Sequence, residues 1–179
     1  MIEITYFVHG TTTDNLAKKA TGWQPGELSE KGINQAIALA QIIKDKYFDV
    51  VFCSDLKRAI ESAHLDFYNR EIQIIKDARL RECNYGDLDG QDNSLVVYSE
   101  HIDIPFKNGE SMLMVEKRVR DFVEYLKQNY NNKKIAIVSH KAPQLALDVI
   151  TKNYTWEQAI ENDWRVTHNW QPGWEYIIK

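Results

Sequence analysis

Three short segments of this chain, "ITYFV", "DVVFC" and "KIAIV", are apolar at nearly every position and rich in β-branched or aromatic side chains. A strand with one wet face alternates apolar and polar residues. One that is apolar throughout needs cover on both sides, as in a parallel sheet flanked by helices. The stretches between these segments have helical period. Residues 29 to 46 open on Ser29 as N-cap and place Ile33, Ile37, Ala40 and Ile43 on one stripe. From Ser54 to Tyr68 the stripe is Ile60, Ala63, His64 and Phe67, and after Gly109 it is Met112, Val115, Val119, Phe122, Val123 and Leu126. Thr155 and Gln158 form a capping box for a further short helix. The tail "RVTHNWQPGWEYIIK" reads as two strands joined across a Pro-Gly turn at a sheet edge, and residues 87 to 111 as the irregular region. The alternation of strand and helix predicts a three-layer α/β/α domain with a mostly parallel central sheet and right-handed crossovers. With 179 residues and no linker or repeat, residues 1–179 are expected to form a single domain.

A formal net charge of −4 without a basic cluster argues against nucleic-acid binding. No run reaches the ~18 apolar residues of a membrane span, and there is no basic segment followed by an apolar leader. Cys53 and Cys83 are too few and too far apart for a disulfide framework or a metal pair, and are read as reduced thiols of a cytoplasmic protein.

Ligands of parallel sheets sit beyond the carboxyl ends of the strands. The first apolar segment ends at His9-Gly10, the second at Ser54-Asp55 with Arg58 a turn further on, and the third at Ser139-His140. Two histidines and an arginine therefore meet on one rim, beside helix N-termini whose amides suit an anion such as phosphate. A neutral imidazole can act as nucleophile while a second, protonated one stabilises negative charge beside it, and a guanidinium grips phosphate oxygens with two parallel bonds. Glu82, in "LRECNYGDLDG", is the candidate proton donor. Closely spaced metal-ligand motifs are lacking, and Ser139 beside His140 cannot form a triad, because strand neighbours face opposite sides. His64 is expected at the core or rim, His101 in solvent, and His168 in aromatic packing with Trp164, Trp170 and Trp174.

Taken in order, "HGTTTDN", "GELSEKGINQA", "FDVVFCSDLKRAIESA", "LRECNYGDLDG", "NGES" and "IVSH" resemble blocks of the histidine phosphatase superfamily, the phosphoglycerate mutase-like group. The resemblance implies a phosphoglycerate mutase-like fold and a phosphohistidine at His9. It also implies phosphoryl oxygens held by Asn15, Arg58 and His140, Glu82 as acid and then base, and neither metal nor cofactor. Its substrates would be a small phosphorylated metabolite or a phosphoprotein, with hydrolysis favoured over mutation. The chain departs from the family pattern at Val8, where members carry arginine. That substitution raises the alternative of a weak or inactive phosphate-binding module, and Lys141 is the expected partial replacement for the lost charge. The segment from Asp92 to Lys107 is expected to cover the site.

Overall fold

The computed structural model describes residues 1–179. Strand β1 (Ile2–Val8) leads through the short helix α1 (Thr13–Leu16) to α2 (Glu30–Ile42), then β2 (Val50–Cys53), α3 (Lys57–Asp66) and β3 (Ile74–Lys76). Four 3-10 turns between Ala78 and Glu100 precede α4 (Met112–Asn129), β4 (Lys134–Ser139), α5 (Lys141–Lys152), α6 (Trp156–Glu161), α7 (Trp164–Thr167) and β5 (Trp174–Ile178).

The sheet order is β3-β2-β4-β1-β5. All pairings are parallel except that of β5, which runs antiparallel along β1 with Ile2 opposite Ile178 and Tyr6 opposite Trp174. The apolar runs are covered on both faces, as their composition requires. Ile4, Tyr6, Phe52 and Ile137 join α4 and α5 residues such as Val119, Phe122 and Leu145 in one core cluster. Phe7, Val51, Cys53 and Val138 point the other way, onto Ile43, Phe48, Ala63 and Phe67.

Three sequence expectations need correction. In α2 the inward face is Gly32, Ala36 and Ala40, continued by Ile43, while Ile33 and Ile37 are 40% and 41% exposed. The cause is close approach: a Cβ on Gly32 would sit 2.1 Å from the Thr11 carbonyl oxygen, and one on Gly10 2.5 Å from that of Gly32. Only small residues allow the helix so near the loop after β1. In α3 the buried face is Arg58, Ala59, Ser62, Ala63 and Asp66, with His64 turned to solvent. The tail holds one strand rather than two. Asp163 accepts from the Arg165 amide as N-cap and starts α7, so Trp164–Thr167 is helical and His168 is exposed in a left-handed conformation. Strand β3 is short and only half-buried, and no apolar run marks it.

Candidate active site

His9 follows the last residue of β1, and its amide donates to the Ser139 carbonyl, continuing the β1–β4 ladder past the strand end. Its Nδ1 lies 2.8 Å from the Gly10 carbonyl oxygen, which makes Nδ1 the protonated nitrogen of the neutral ring and leaves the Nε2 lone pair free. The Gly10 amide donates to the Ser62 hydroxyl at 3.0 Å, tying this loop to α3.

His140 is the N-cap of α5 and is fully buried. Its ring centroid lies 4.9 Å from that of His9, at an interplanar angle of 61°. Its backbone is pinned by Tyr6, whose hydroxyl donates to the His140 carbonyl at 2.7 Å and accepts from the His140 amide at 3.1 Å. Neither ring nitrogen of His140 has a partner. An unpaired buried polar group costs about 1–3 kcal/mol, which an oxygen ligand between the rings would recover. The expectation of one protonated imidazole is corrected: both are held neutral, well below the ordinary histidine range, by desolvation first and then by the positive charge of Arg58.

Arg58 is 2% exposed. Its Nη1 and Nη2 donate to the carbonyls of Gln24 and Gly22 at 2.9 and 2.8 Å, so the guanidinium folds the 22–26 loop against the site while its field reaches both histidines. The rim predicted from the strand ends thus brings these three groups together. Asn15 stands at the mouth, its Oδ1 accepting from the Thr12 amide in a reciprocal capping box that leaves its Nδ2 free for a ligand.

Glu82 is buried and does not pair with Arg79 or Arg81, which are bound to Asp77 and Asp55. Four donors converge on its carboxylate: the amides of Cys83 and Ala142 at 2.9 Å, the Lys141 amide at 3.2 Å and the Tyr98 hydroxyl at 3.3 Å. It therefore covers the N-terminus of α5, accepting from amides that have no partner within the helix. The expectation that the amides at this helix end bind phosphate is corrected: Glu82 occupies those of Lys141 and Ala142. Lys141 itself extends to Asp163, Nζ to Oδ2 at 3.2 Å, over the Tyr98 ring.

The segment from Asp92 to Lys107 does not line the cavity at His9 and reaches the site through Tyr98, which bonds Glu82. Tyr98 and Phe106 are core residues, Tyr98 is bonded to Tyr85 at 2.8 Å, and His101, half-buried, stacks on Phe106. Covering falls instead to the C-terminal segment. A cavity of about 440 Å³ opens beside His9, with Trp164, Trp170, Trp174 and Arg165 in its wall and Asn15 and Val8 at its edge. Trp164 stacks on Trp174 at 5.1 Å. Sequence reading missed Arg165, Asp163 and two further supports. Trp23 donates from Nε1 to the Glu82 carbonyl at 2.7 Å. Arg118 bonds both oxygens of Glu110 and the carbonyls of Arg79 and Glu82, anchoring the loop that carries Glu82. The Asp163 N-cap was the available signal for α7; nothing in the local sequence pairs Arg118 with Glu110.

Two neutral imidazoles in edge-on contact, a buried guanidinium behind them and a carboxylate at the adjoining helix end are equipped for phosphoryl transfer to a histidine. The model of the histidine phosphatase superfamily (branch 1) matches residues 6–169, and the chain belongs to that family. Its relatives include both phosphatases and mutases. It is 27% identical to phosphoserine phosphatase 1 of Hydrogenobacter thermophilus over 157 residues, covering 82% of this chain and 74% of that protein. It is 33% identical over 149 residues to the 2,3-bisphosphoglycerate-dependent phosphoglycerate mutase of Parvibaculum lavamentivorans, covering 74% and 71%. Among solved structures, the alpha-ribazole phosphatase of Shigella flexneri superposes with a TM-score of 0.80 at 25% identity, covering 89% of this chain and 84% of that one. A mycobacterial glucosyl-3-phosphoglycerate phosphatase complexed with VO3 gives 0.79 at 25% identity, covering 88% and 86%. In this chain no helix is long and apolar enough to cross a membrane.

Proposed function

We propose that the protein is a phosphomonoesterase that works through a phosphohistidine on His9, with no metal required by the scheme. The observation that carries this reading is the pairing of His9, its Nδ1 fixed on the Gly10 carbonyl, with the unpartnered His140 ring 4.9 Å away. Nε2 of His9 attacks phosphorus, forming a P–N bond as the ester P–O bond breaks, and the leaving alkoxide takes a proton from Glu82. Water then attacks the phosphohistidine, giving its proton to Glu82 as the P–N bond breaks and inorganic phosphate departs. Arg58, Asn15 and His140 stabilise the phosphoryl oxygens in both steps.

A cavity of about 440 Å³ lies within the ~300–1,000 Å³ range of small-molecule sites. Together with relatives named for phosphoserine, alpha-ribazole and glucosyl-3-phosphoglycerate chemistry, it favours a small phosphorylated metabolite over a phosphoprotein. Val8, at the edge of this cavity, gives specific ground for the second reading, a phosphate-binding module with little turnover.

The test is incubation with a chromogenic aryl phosphate, followed by quenching and assay for acid-labile phosphate on the protein. Turnover and labelling, both abolished by His9→Ala, are the expected result. Phosphate binding without either selects the module.

A further inference from the structure

A phosphate monoester approaches neutral pH as a dianion, yet the groups nearest His9 offer it little formal charge. Both imidazoles are neutral, and Arg58, whose two terminal nitrogens each give a hydrogen to a backbone carbonyl, sets a single positive charge against the two negative ones. Among the residues lining the His9 cavity one is cationic, Arg165. We propose that Arg165, delivered from α7, is the cationic anchor that binds the phosphoryl oxygens at His9, and that Asp163 positions it.

The surroundings of Arg165 support the assignment. Its Nη1 donates to Asp163 Oδ1 at 2.8 Å, and Nη1 and Nη2 each lie 3.4 Å from Gln144 Oε1. The guanidinium is stacked on the Trp164 ring at 4.3 Å, which fixes its plane while its Nε–H stays unbonded. Asp163 is fully buried and also receives Lys141 at 3.2 Å, so two cations share one carboxylate and a net positive charge is left over. Lys141 thus neutralises the positioning residue, which frees the charge of Arg165 for a ligand. Val8 completes the arrangement: it lines the same cavity and packs its short side chain on the core, where a long one would compete with Arg165 for the space beside His9. The field of Arg165 already reaches His9, where it adds to that of Arg58.

This inference rests on the phosphoryl site proposed above, and its test separates the two. Inorganic phosphate is titrated calorimetrically into the wild type, Arg165→Ala, Arg165→Lys and the double variant Val8→Arg/Arg165→Ala, with steady-state hydrolysis of p-nitrophenyl phosphate in parallel. Arg165→Ala is expected to weaken phosphate binding about tenfold or more, the scale of a lost charge-assisted hydrogen bond. Arg165→Lys should weaken it by a few-fold, because a point charge lacks the fork. The double variant should recover binding, which a merely structural defect would not do. Phosphate affinity within twofold of wild type in Arg165→Ala overturns the anchor, as does a wild type that does not bind phosphate. If Arg165→Ala fails to fold, an Arg165→Lys affinity equal to wild type overturns it. A wild type that binds phosphate through Arg165 without turnover would instead overturn the hydrolase reading alone.

Discussion

Glu82 and Ala142 are sixty residues apart in the chain, yet a carboxylate oxygen of the first accepts from the amide of the second at 2.9 Å. This bond and its neighbour from the Lys141 amide hold the start of α5, and with it His140, at a fixed distance from the loop that carries Glu82. The Glu82 carboxyl and the His140 imidazole are thereby built as one unit.

Glu82→Gln should expose the proton-donor role through the leaving group. Turnover of an alkyl phosphate, whose alkoxide needs a proton, is expected to fall about 10²–10⁴-fold. Turnover of dinitrophenyl phosphate, whose leaving group needs none, should fall far less. Equal losses on both substrates would reduce Glu82 to a structural cap.

His140→Ala removes a ring that is bonded to nothing in the protein. Turnover should fall about 10²–10³-fold, as when a single oxyanion donor is lost. Circular dichroism should show the same fold, since the Tyr6 hydroxyl bonds only the backbone of this residue.

The stability of the protein should depend on pH in two opposite senses. His9 and His140 have folded pKa values lowered by burial and by Arg58, so below about pH 6.5 the unfolded chain binds protons that the fold refuses. Stability then falls on acidification by roughly 1.4 kcal/mol per pH unit for each ring. Asp66 acts the other way. Its carboxyl is buried without a partner and its pKa is raised by desolvation, so the fold retains a proton that the unfolded chain releases above about pH 4. In urea titrations from pH 4 to 7, Asp66→Asn should be more stable than wild type at pH 7, with the gap closing towards pH 4.

Arg118→Ala leaves the Glu110 carboxylate, 11% exposed, without its cation. Breaking a buried pair of this kind costs about 3–5 kcal/mol, to be read as a lowered urea midpoint. Because Arg118 also holds the Glu82 carbonyl, turnover of alkyl phosphates should drop with it.

Gly32→Ala tests the contact between α2 and the loop that carries His9. The added methyl would meet the Thr11 carbonyl at 2.1 Å, so the helix must retreat. A loss of about 1–3 kcal/mol is expected from such overpacking, with reduced labelling of His9.

The parts of this molecule legible in the sequence are those fixed by short-range patterns. Apolar runs marked β1, β2 and β4, and the residues just beyond them located His9, Arg58 and His140, because a parallel sheet presents all its carboxyl ends on one rim. Helix faces were harder. Large apolar residues were taken to mark the buried side of α2, but the side that approaches the His9 loop must be made of glycine and alanine. The least legible residues, Arg165 and Arg118, depend on partners on other elements, Gln144 for the first, beside the nearby Asp163, and the Arg79 and Glu82 carbonyls for the second. Short-range periodicity carries no trace of such long-range bonds.

Strand β1, which leads into His9, has no sheet neighbour nearby in sequence. Its parallel partner begins at Lys134 and its antiparallel one at Trp174, so a growing chain emerges with a sticky, two-sided ribbon that nothing can pair until synthesis is far advanced. Sheet closure over such sequence distances is slow, and an unpaired apolar edge invites association between chains. Newly made molecules should therefore need β1 shielded until β4 has been made, and the pairing of His9 with His140 is absent from every translation intermediate that ends before α5.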